Sequence, residues 1–452
     1  MKKTIVLSLS LLFGVSAFAQ NNCNVADELP IKLMSAEIKR GFKTFQKQNP
    51  PLYYLSYQYY TNDLSDISVS EGSVAREYYG RQRASVTVFP RVGSPALDNT
   101  RRLTEMSSVS DRLTTEDMPA AEGDGKAFST ALWRATDAAV KKAQEDLDGV
   151  KAEKLTAPKR FDDSPDFAYP PVERFCRTAE FAAFDYDKIK EMLVKASTLT
   201  KGKKFILDSR FSFEREVGYR YFVDSRGTQL KTPHQEVRLS YVVSGKTENG
   251  QEVSRFNDYN VLRPEELPSE EKLLADTRKS IDELEQLVNA TEGEPLEAPT
   301  LLKGRAMAVF VHEVLGHRME GHRQKMEDFG RTFTDKIGQQ VVSPILTIID
   351  DATLSYFNGE VMRGFYEYDD EGVKSRPVTL VEKGVLKNFL MSSSPIKNFP
   401  ASNGHGRGNH YFRPVARMAV TRALAEQTVT YDELEKKFLQ EIKRQNKPYG
   451  FM

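Results

Sequence analysis

Thiol and indole are scarce in this chain of 452 residues, which has two cysteines and one tryptophan, and neither charge sign is in excess, with 64 basic against 64 acidic side chains. Two cysteines exclude a disulfide-stapled scaffold and a cysteine-rich zinc module. A net charge of zero leaves no electrostatic footprint for a polyanion, which argues against nucleic acid as a partner. Histidine is also sparse, six in all, so any clustering of them carries information. What is present is ordinary globular material, 39% hydrophobic and 28% charged, enough to bury the cores of two domains.

The chain opens "MKKTIVLSLSLLFGVSAFAQNN": Lys2 and Lys3, an apolar run from Ile5 to Val15, then Ala17-Phe18-Ala19 as a small-x-small cleavage site. A membrane span needs roughly 20 apolar residues, and this run is shorter. Residues 1–19 therefore read as a secretory signal peptide, and the mature protein as exported, periplasmic or extracellular, with no membrane association after cleavage. Cys23 follows closely, but Gln20-Asn21-Asn22 is too polar and bulky to precede a lipidated cysteine. Export permits a disulfide between Cys23 and Cys176, while two buried thiols remain the alternative.

Hydrophobic periodicity predicts an α+β chain. Ile31, Met34, Ile38, Phe42 and Phe45 lie at helical spacing. From Leu52, "LYYLSYQYY", "ISVSEG" and "ASVTVFPRV" read as antiparallel strands. Helices are predicted along "FSTALWRATDAAVKKAQEDL", with Trp133 in the core, and near Tyr186 to Thr198. Meandering strands follow, with a hairpin turn at Asn249-Gly250 and His234 as a surface or packing residue. Ser269 is a plausible N-cap for a helix bearing Leu273, Leu274, Ile281, Leu284, Leu287 and Val288 on one face. The expected organisation is an N-terminal α+β domain over 20–255, a connecting helix and linker over 256–300, and a β-rich C-terminal domain over 301–452. No internal repeat, G-x-S-x-G setting or phosphate loop accompanies it.

The stretch "VHEVLGHRMEGH", Val311 to His322, holds three of the six histidines. Two neutral imidazoles with a carboxylate beside the first are what a catalytic zinc site requires. The spacing is HExxxH rather than HExxH. On a regular α-helix, residues five apart lie about 140° from one another, so both imidazoles reach one ion only through a distortion such as a π-bulge, with Gly316 the residue most able to yield. The competing reading is a polar helix with histidines on different faces.

Beyond the motif the sequence resembles the TldD/PmbA metallopeptidases. "HEVLGHRMEG" is similar to that family's HExxxHxxEG helix, "GRTFTDKIGQQVVSPILTIIDDATL" to the segment after it, "YDDEGVKSRPVTLVEKGVLKNFL" to its DDEG hairpin, and "NGHGRGNHYFRPVARM" to its Gly/Arg-rich loop and Pro-x-x-Arg-Met strand. The resemblance implies a zinc ion (Zn2+) on His312 and His317, Glu313 as general base, unfolded or short peptides as substrates, and a homodimer or a heterodimer with a second family member.

The family's third ligand is a cysteine near the C-terminus, and no cysteine follows Cys176. Either the chain continues past Met452 to supply it, the favoured reading since "TYDELEKKFLQEIKRQNKPYGFM" leaves the final helix as though entering a strand, or a residue already present substitutes. Candidates are Glu320, His322, Asp350, Asp351, His405 and His410. Glu320 and His322 otherwise face solvent, and Asp350-Asp351 and Asp369-Asp370-Glu371-Gly372 otherwise read as turns. The leading expectation is a zinc-dependent peptidase; the alternative is a non-catalytic peptide-binding or partner subunit with an incomplete metal site. A structural protein with incidental histidines is a third reading.

Overall fold

The computed structural model describes residues 21–100, 115–156, 162–291, 293, 295–325, 331–409 and 412–452. The signal-peptide reading of residues 1–19 and the candidate ligand His410 lie outside the described residues. Described helices and strands make a mixed architecture of six α-helices and several sheets.

Nine strands form the large sheet: β1 (Asn21–Asn22), β2 (Leu52–Ser70), β3 (Ser73–Ser94), β4 (Leu97–Asp98), β5 (Thr115–Asp117), β6 (Arg174–Thr178), β7 (Ile206–Asp224), β8 (Gln229–Lys246) and β9 (Glu252–Asn260). Their order is β1-β6-β8-β7-β2-β3-β4, with β5 on β3 and β9 on β8, all antiparallel except β6 with β8. The long β2–β3 hairpin turns on Glu71 and Gly72, both at positive φ (47° and 79°), the pair of conformations a two-residue turn needs to match strand twist. The predicted Asn249-Gly250 turn joins β8 to β9.

Four helices cover one face: α1 (Leu29–Phe45), α2 (Lys126–Thr156), α3 (Tyr186–Thr198) and α4 (Glu270–Val288). Alternation along β7 explains why. Phe211, Phe213, Tyr221 and Val223 point into two apolar clusters with these helices, while Glu216 and Arg220 point the other way. Ser269 caps α4 by accepting from Lys272 N. Trp133 is only partly buried, stacked on Phe45 with Arg40 over its ring at 4.0 Å.

The remaining chain brings α5 (Gly304–Val311), strands β10 (Leu346–Asp351), β11 (Tyr356–Phe357), β12 (Glu360–Val361), β13 (Pro377–Glu382), β14 (Val385–Leu386), β15 (Gly406–Asn409), β16 (Phe412–Ala416) and β17 (Thr421–Ala425), and α6 (Tyr431–Arg444). The strands β14-β13-β10-β17 form an antiparallel sheet whose core includes Ile348, Leu380, Val381 and Leu386. Thr430 and Glu433 make the predicted capping box of α6.

A buried ionic seam joins this part to the polar face of the large sheet. Arg220 on β7 reaches Asp370 Oδ1 at 2.6 Å and donates to the Tyr368 carbonyl at 2.6 Å. The other Asp370 oxygen accepts from Gly408 N and faces Arg407. Glu371 lies 3.8 Å from Arg91 and accepts from Ser393 N. The Asp369-to-Gly372 segment is a turn, Asp369 Oδ1 accepting from Glu371 N and Val373 N. Yet Asp369 is fully buried and Asp370 nearly so, which a solvated turn would not require.

Cys23 and Cys176 form a disulfide with a Cα–Cα distance of 5.3 Å, tying the N-terminal segment to β6. The bridge closes a separation of 153 residues, for which chain entropy gives a contribution of about 5 kcal/mol. The double variant C23S/C176S is expected to lose up to that amount in urea denaturation, with a native circular dichroism spectrum before the transition.

Burial, reinforced by the neighbouring Glu371 carboxylate, pushes Asp369 up to about 7, and burial also raises Glu371. The pair binds a proton more tightly folded than unfolded. Its stabilising contribution is therefore complete below the unfolded carboxylate range near pH 4 and lost as pH rises through about 7. Unfolding free energy measured from pH 5 to 8.5 should fall more steeply in wild type than in Glu371→Gln, where the like charge is gone.

Candidate metal centre

The motif helix changes pitch where its histidines begin. α5 is α-helical to Val311, the next turn from His312 to Gly316 is π-helical, and His317 to Met319 is 3-10. His317 N donates to the His312 carbonyl, five residues back, which closes the wide turn. The two imidazoles thereby face one another, ring centroids 4.5 Å apart and planes at 81°. Val311, Leu315 and Met319 bury the opposite side of the segment in the C-terminal core.

Three neighbours hold this turn. Arg318 Nη1 donates to the carbonyls of Glu313 at 2.7 Å and Val314 at 3.2 Å, acceptors that a change of helical pitch leaves exposed. Gly316 has ordinary helical φ (−55°), so glycine is needed there for space, not for backbone freedom. A Cβ on it would lie 1.9 Å from Met418 Sδ. Gly321 faces a less yielding neighbour, a Cβ there meeting the Leu390 backbone carbonyl oxygen at 2.7 Å.

His312, Glu313 and His317 present one ligand atom each, all within 4.8 Å of one another. Glu313 Oε1 lies 3.9 Å from His312 Nε2, and Oε2 the same distance from His317 Nε2. His312 and Glu313 are open to solvent while His317 is mostly covered. Two imidazole nitrogens and a carboxylate on one accessible face form a donor set suited to zinc, so the residues present fit the ion.

The other candidates stand elsewhere. Glu320 has no solvent exposure, against the expectation that it faces solvent. One of its oxygens, Oε1, lies 3.1 Å from His317 Nδ1; the other meets Arg323 at 2.7 Å and Arg417 at 3.4 Å. His322 is partly covered, and burial, with the cations of Arg417 and Arg323 next, holds its imidazole neutral, well below the usual range. His405 is fully buried, its Nε2 on Asp350 Oδ1 at 3.2 Å and its Nδ1 against Asn403. Asp350 also accepts from Ala419 N and Thr421 Oγ1, and Asp351 engages Thr353 and Arg422. These groups hold the strand segment that carries Arg417 and Met418 over the motif. Apart from Glu313, no third protein donor joins the imidazole pair among the described residues.

Histidine spacing alone does not point to Arg318, Arg323, Arg417 or Met418. The quoted Arg-Met pair was the available signal for the last two, and the i,i+3 relation to Glu320 the signal for Arg323.

The site is thus a helix that presents two histidines and an acid on one accessible face and packs on an antiparallel sheet. Residues 295–443 match the model of the PmbA/TldA metallopeptidase C-terminal domain. A metalloprotease of Methanocaldococcus jannaschii is 36% identical over 122 residues, 27% of this chain and 26% of that protein. A metalloprotease TldD homologue of Haemophilus influenzae is 36% identical over 138 residues, 30% and 27%, and a zinc metalloprotease TldD homologue of Saccharolobus solfataricus is 29% identical over 119, 26% and 24%. The alignments thus span about a quarter of each of these relatives. The fold is similar to that of a solved Thermotoga maritima protein described as a modulator of a DNA gyrase, with TM-score 0.54 and 14% identity over 91% of this chain and 80% of that one. TldE of Thermococcus kodakarensis gives TM-score 0.54 and 14% identity over 89% and 79%.

Gly321→Ala tests the packing behind the centre. With a backbone carbonyl in the way, the variant should lose about 1–3 kcal/mol in chemical denaturation. Wild-type stability would show that the turn relaxes freely.

Proposed function

We propose that this chain is a zinc-dependent peptidase acting on unfolded or short peptides. The convergence of His312, Glu313 and His317 within 4.8 Å carries the reading, and the names of the relatives support it. His312 and His317 would hold the ion through imidazole nitrogen. Zinc bound there supplies Lewis acidity, lowering the pKa of water and polarising a peptide carbonyl.

The protein's own part is proton transfer and placement. Glu313, solvent-exposed and equidistant from the two Nε2 atoms, takes the proton from the attacking water and returns it to the leaving amine. Met307, Val309, Phe310 and Val314 are exposed on the same helical segment and offer apolar surface to the side chains of an extended peptide. Folded substrates cannot present such a segment without local unfolding. The Cys23–Cys176 bridge supports an exported protein, since disulfides persist in oxidising compartments. A dimer, with a second copy or another family member, belongs to the same proposal and draws support from the TldE and TldD relatives.

One observation favours a second reading. Only two imidazoles and Glu313 converge among the described residues, whereas catalytic zinc sites ordinarily use three protein ligands and keep the base apart from them. The alternative is a non-catalytic, peptide-binding partner subunit of the same fold.

Metal analysis of the purified protein is expected to find about one zinc per chain. Glu313→Gln should keep the metal and lose peptide hydrolysis by about 100-fold or more, whereas His312→Ala and His317→Ala should lose both. Wild-type protein without zinc or hydrolysis, yet with affinity for extended peptides, would favour the partner subunit.

A further inference from the structure

We propose that Glu320 is the positioning residue that makes His317 a metal ligand, by holding its imidazole in the tautomer with the proton on Nδ1. This rests on the reading of His312 and His317 as ligands.

Two groups compete for one ring nitrogen. Glu320 Oε1 is 3.1 Å from His317 Nδ1, and Arg323 Nη2 is 3.2 Å from it. A guanidinium only donates, so its hydrogen bond needs a bare Nδ1 and places the imidazole proton on Nε2. That tautomer has no lone pair on Nε2, the nitrogen facing His312 and Glu313. A carboxylate only accepts, so its bond needs Nδ1–H and leaves the Nε2 lone pair free. The two bonds are mutually exclusive, and the choice between them decides whether His317 can ligate.

The surroundings favour Glu320. Its carboxylate has no solvent exposure, and Oε1 is a buried oxygen with no aligned hydrogen bond, its 3.1 Å approach to His317 Nδ1 being a contact that a small ring rotation would turn into one. Leaving that oxygen unmatched is costly, and His317 Nδ1–H is the donor within reach. Arg323 gives up nothing essential, since it keeps its 2.7 Å contact to Glu320 Oε2. Arg417, 3.4 Å from the same oxygen, places a second cation beside the carboxylate. Carboxylates behind ligating imidazoles act in this way at metal centres, fixing tautomer and ring orientation. Glu320 reaches the imidazole because it stands three residues on from His317, at the exit of the 3-10 turn, with extended backbone (φ −75°, ψ 115°) that turns its side chain inward.

The competing account is a purely structural ion-pair node tying the turn to the Arg417 segment. It predicts lost stability but no change in tautomer. The test uses metal-free protein labelled with 15N-histidine, in which long-range 1H–15N correlations report the His317 tautomer, alongside zinc affinity from competition with a chromogenic chelator. Wild type should show Nδ1–H. Glu320→Gln should shift His317 to Nε2–H and weaken zinc binding about 10–100-fold. Arg177→Met, which breaks the buried pair with Glu367 far along the chain, should lower stability and leave tautomer and zinc affinity alone.

A Glu320→Gln protein with the wild-type tautomer and zinc affinity would overturn the proposal, as would Nε2–H in wild type. If Glu320→Gln does not fold, Glu320→Asp keeps the charge between the arginines but draws the oxygen back from the imidazole, and the same readouts apply in the same directions. Wild-type protein that binds no zinc would sink the metal reading alone, because the tautomer in metal-free protein decides the role of Glu320 without it.

Discussion

A spacing of five residues between two imidazoles is the constraint on which the rest of the site depends. An α-helix turns them away from one another by about 140°, and only a wider turn cancels that angle. Widening a helix costs hydrogen-bond geometry and opens packing space, so it persists only where neighbours compensate. Here Arg318 takes the loosened carbonyls of Glu313 and Val314, and Met418 fills the groove over Gly316. Val311, Leu315 and Met319 anchor the segment from below. The imidazole pair is thus a property of the assembled C-terminal core more than of the helix itself.

The assembly is held from a distance. Asp350 gathers His405, Ala419 N and Thr421 into one buried cluster, and the Arg417 N to His405 O bond of 2.9 Å joins the strand segment to it. That segment then delivers Arg417 to Glu320 and Met418 to Gly316. The next hairpin is gripped by the large sheet through Arg220 and Arg91. Buried ion pairs of this kind add little net stability against apolar replacements, but breaking one partner leaves an uncompensated charge, which makes the register of the two parts specific.

Local signals were the legible ones. Caps at Ser269 and Thr430, the Asn249-Gly250 turn and the apolar stripes of the helices each depend on residues within a few positions of one another. The histidine motif was legible for the same reason. What could not be read was burial of charge. Asp370 reads as a turn residue because its partner Arg220 is 150 positions away, and Glu320 reads as surface because Arg417 is 97 away. The cysteine pairing, across 153 residues, was open on the same ground.

The charge count around the centre follows from these distant contacts. Arg323 and Arg417 sit on Glu320 and neutralise it locally, so the buried side of the site presents little net negative field. Glu313 is the acid that remains unmatched by a nearby arginine or lysine in the described structure, and it is the exposed one. Affinity for a dication at this site would then come mostly from imidazole lone pairs and one solvated carboxylate, not from an anionic cage. Nitrogen-rich, weakly charged donor sets select zinc and its neighbours over calcium or magnesium, whose sites need several hard oxygens. It also means that the orientation of each imidazole matters more here than it would in a site built from carboxylates, because a rotated or mis-protonated ring removes a ligand outright while a carboxylate offers a second oxygen.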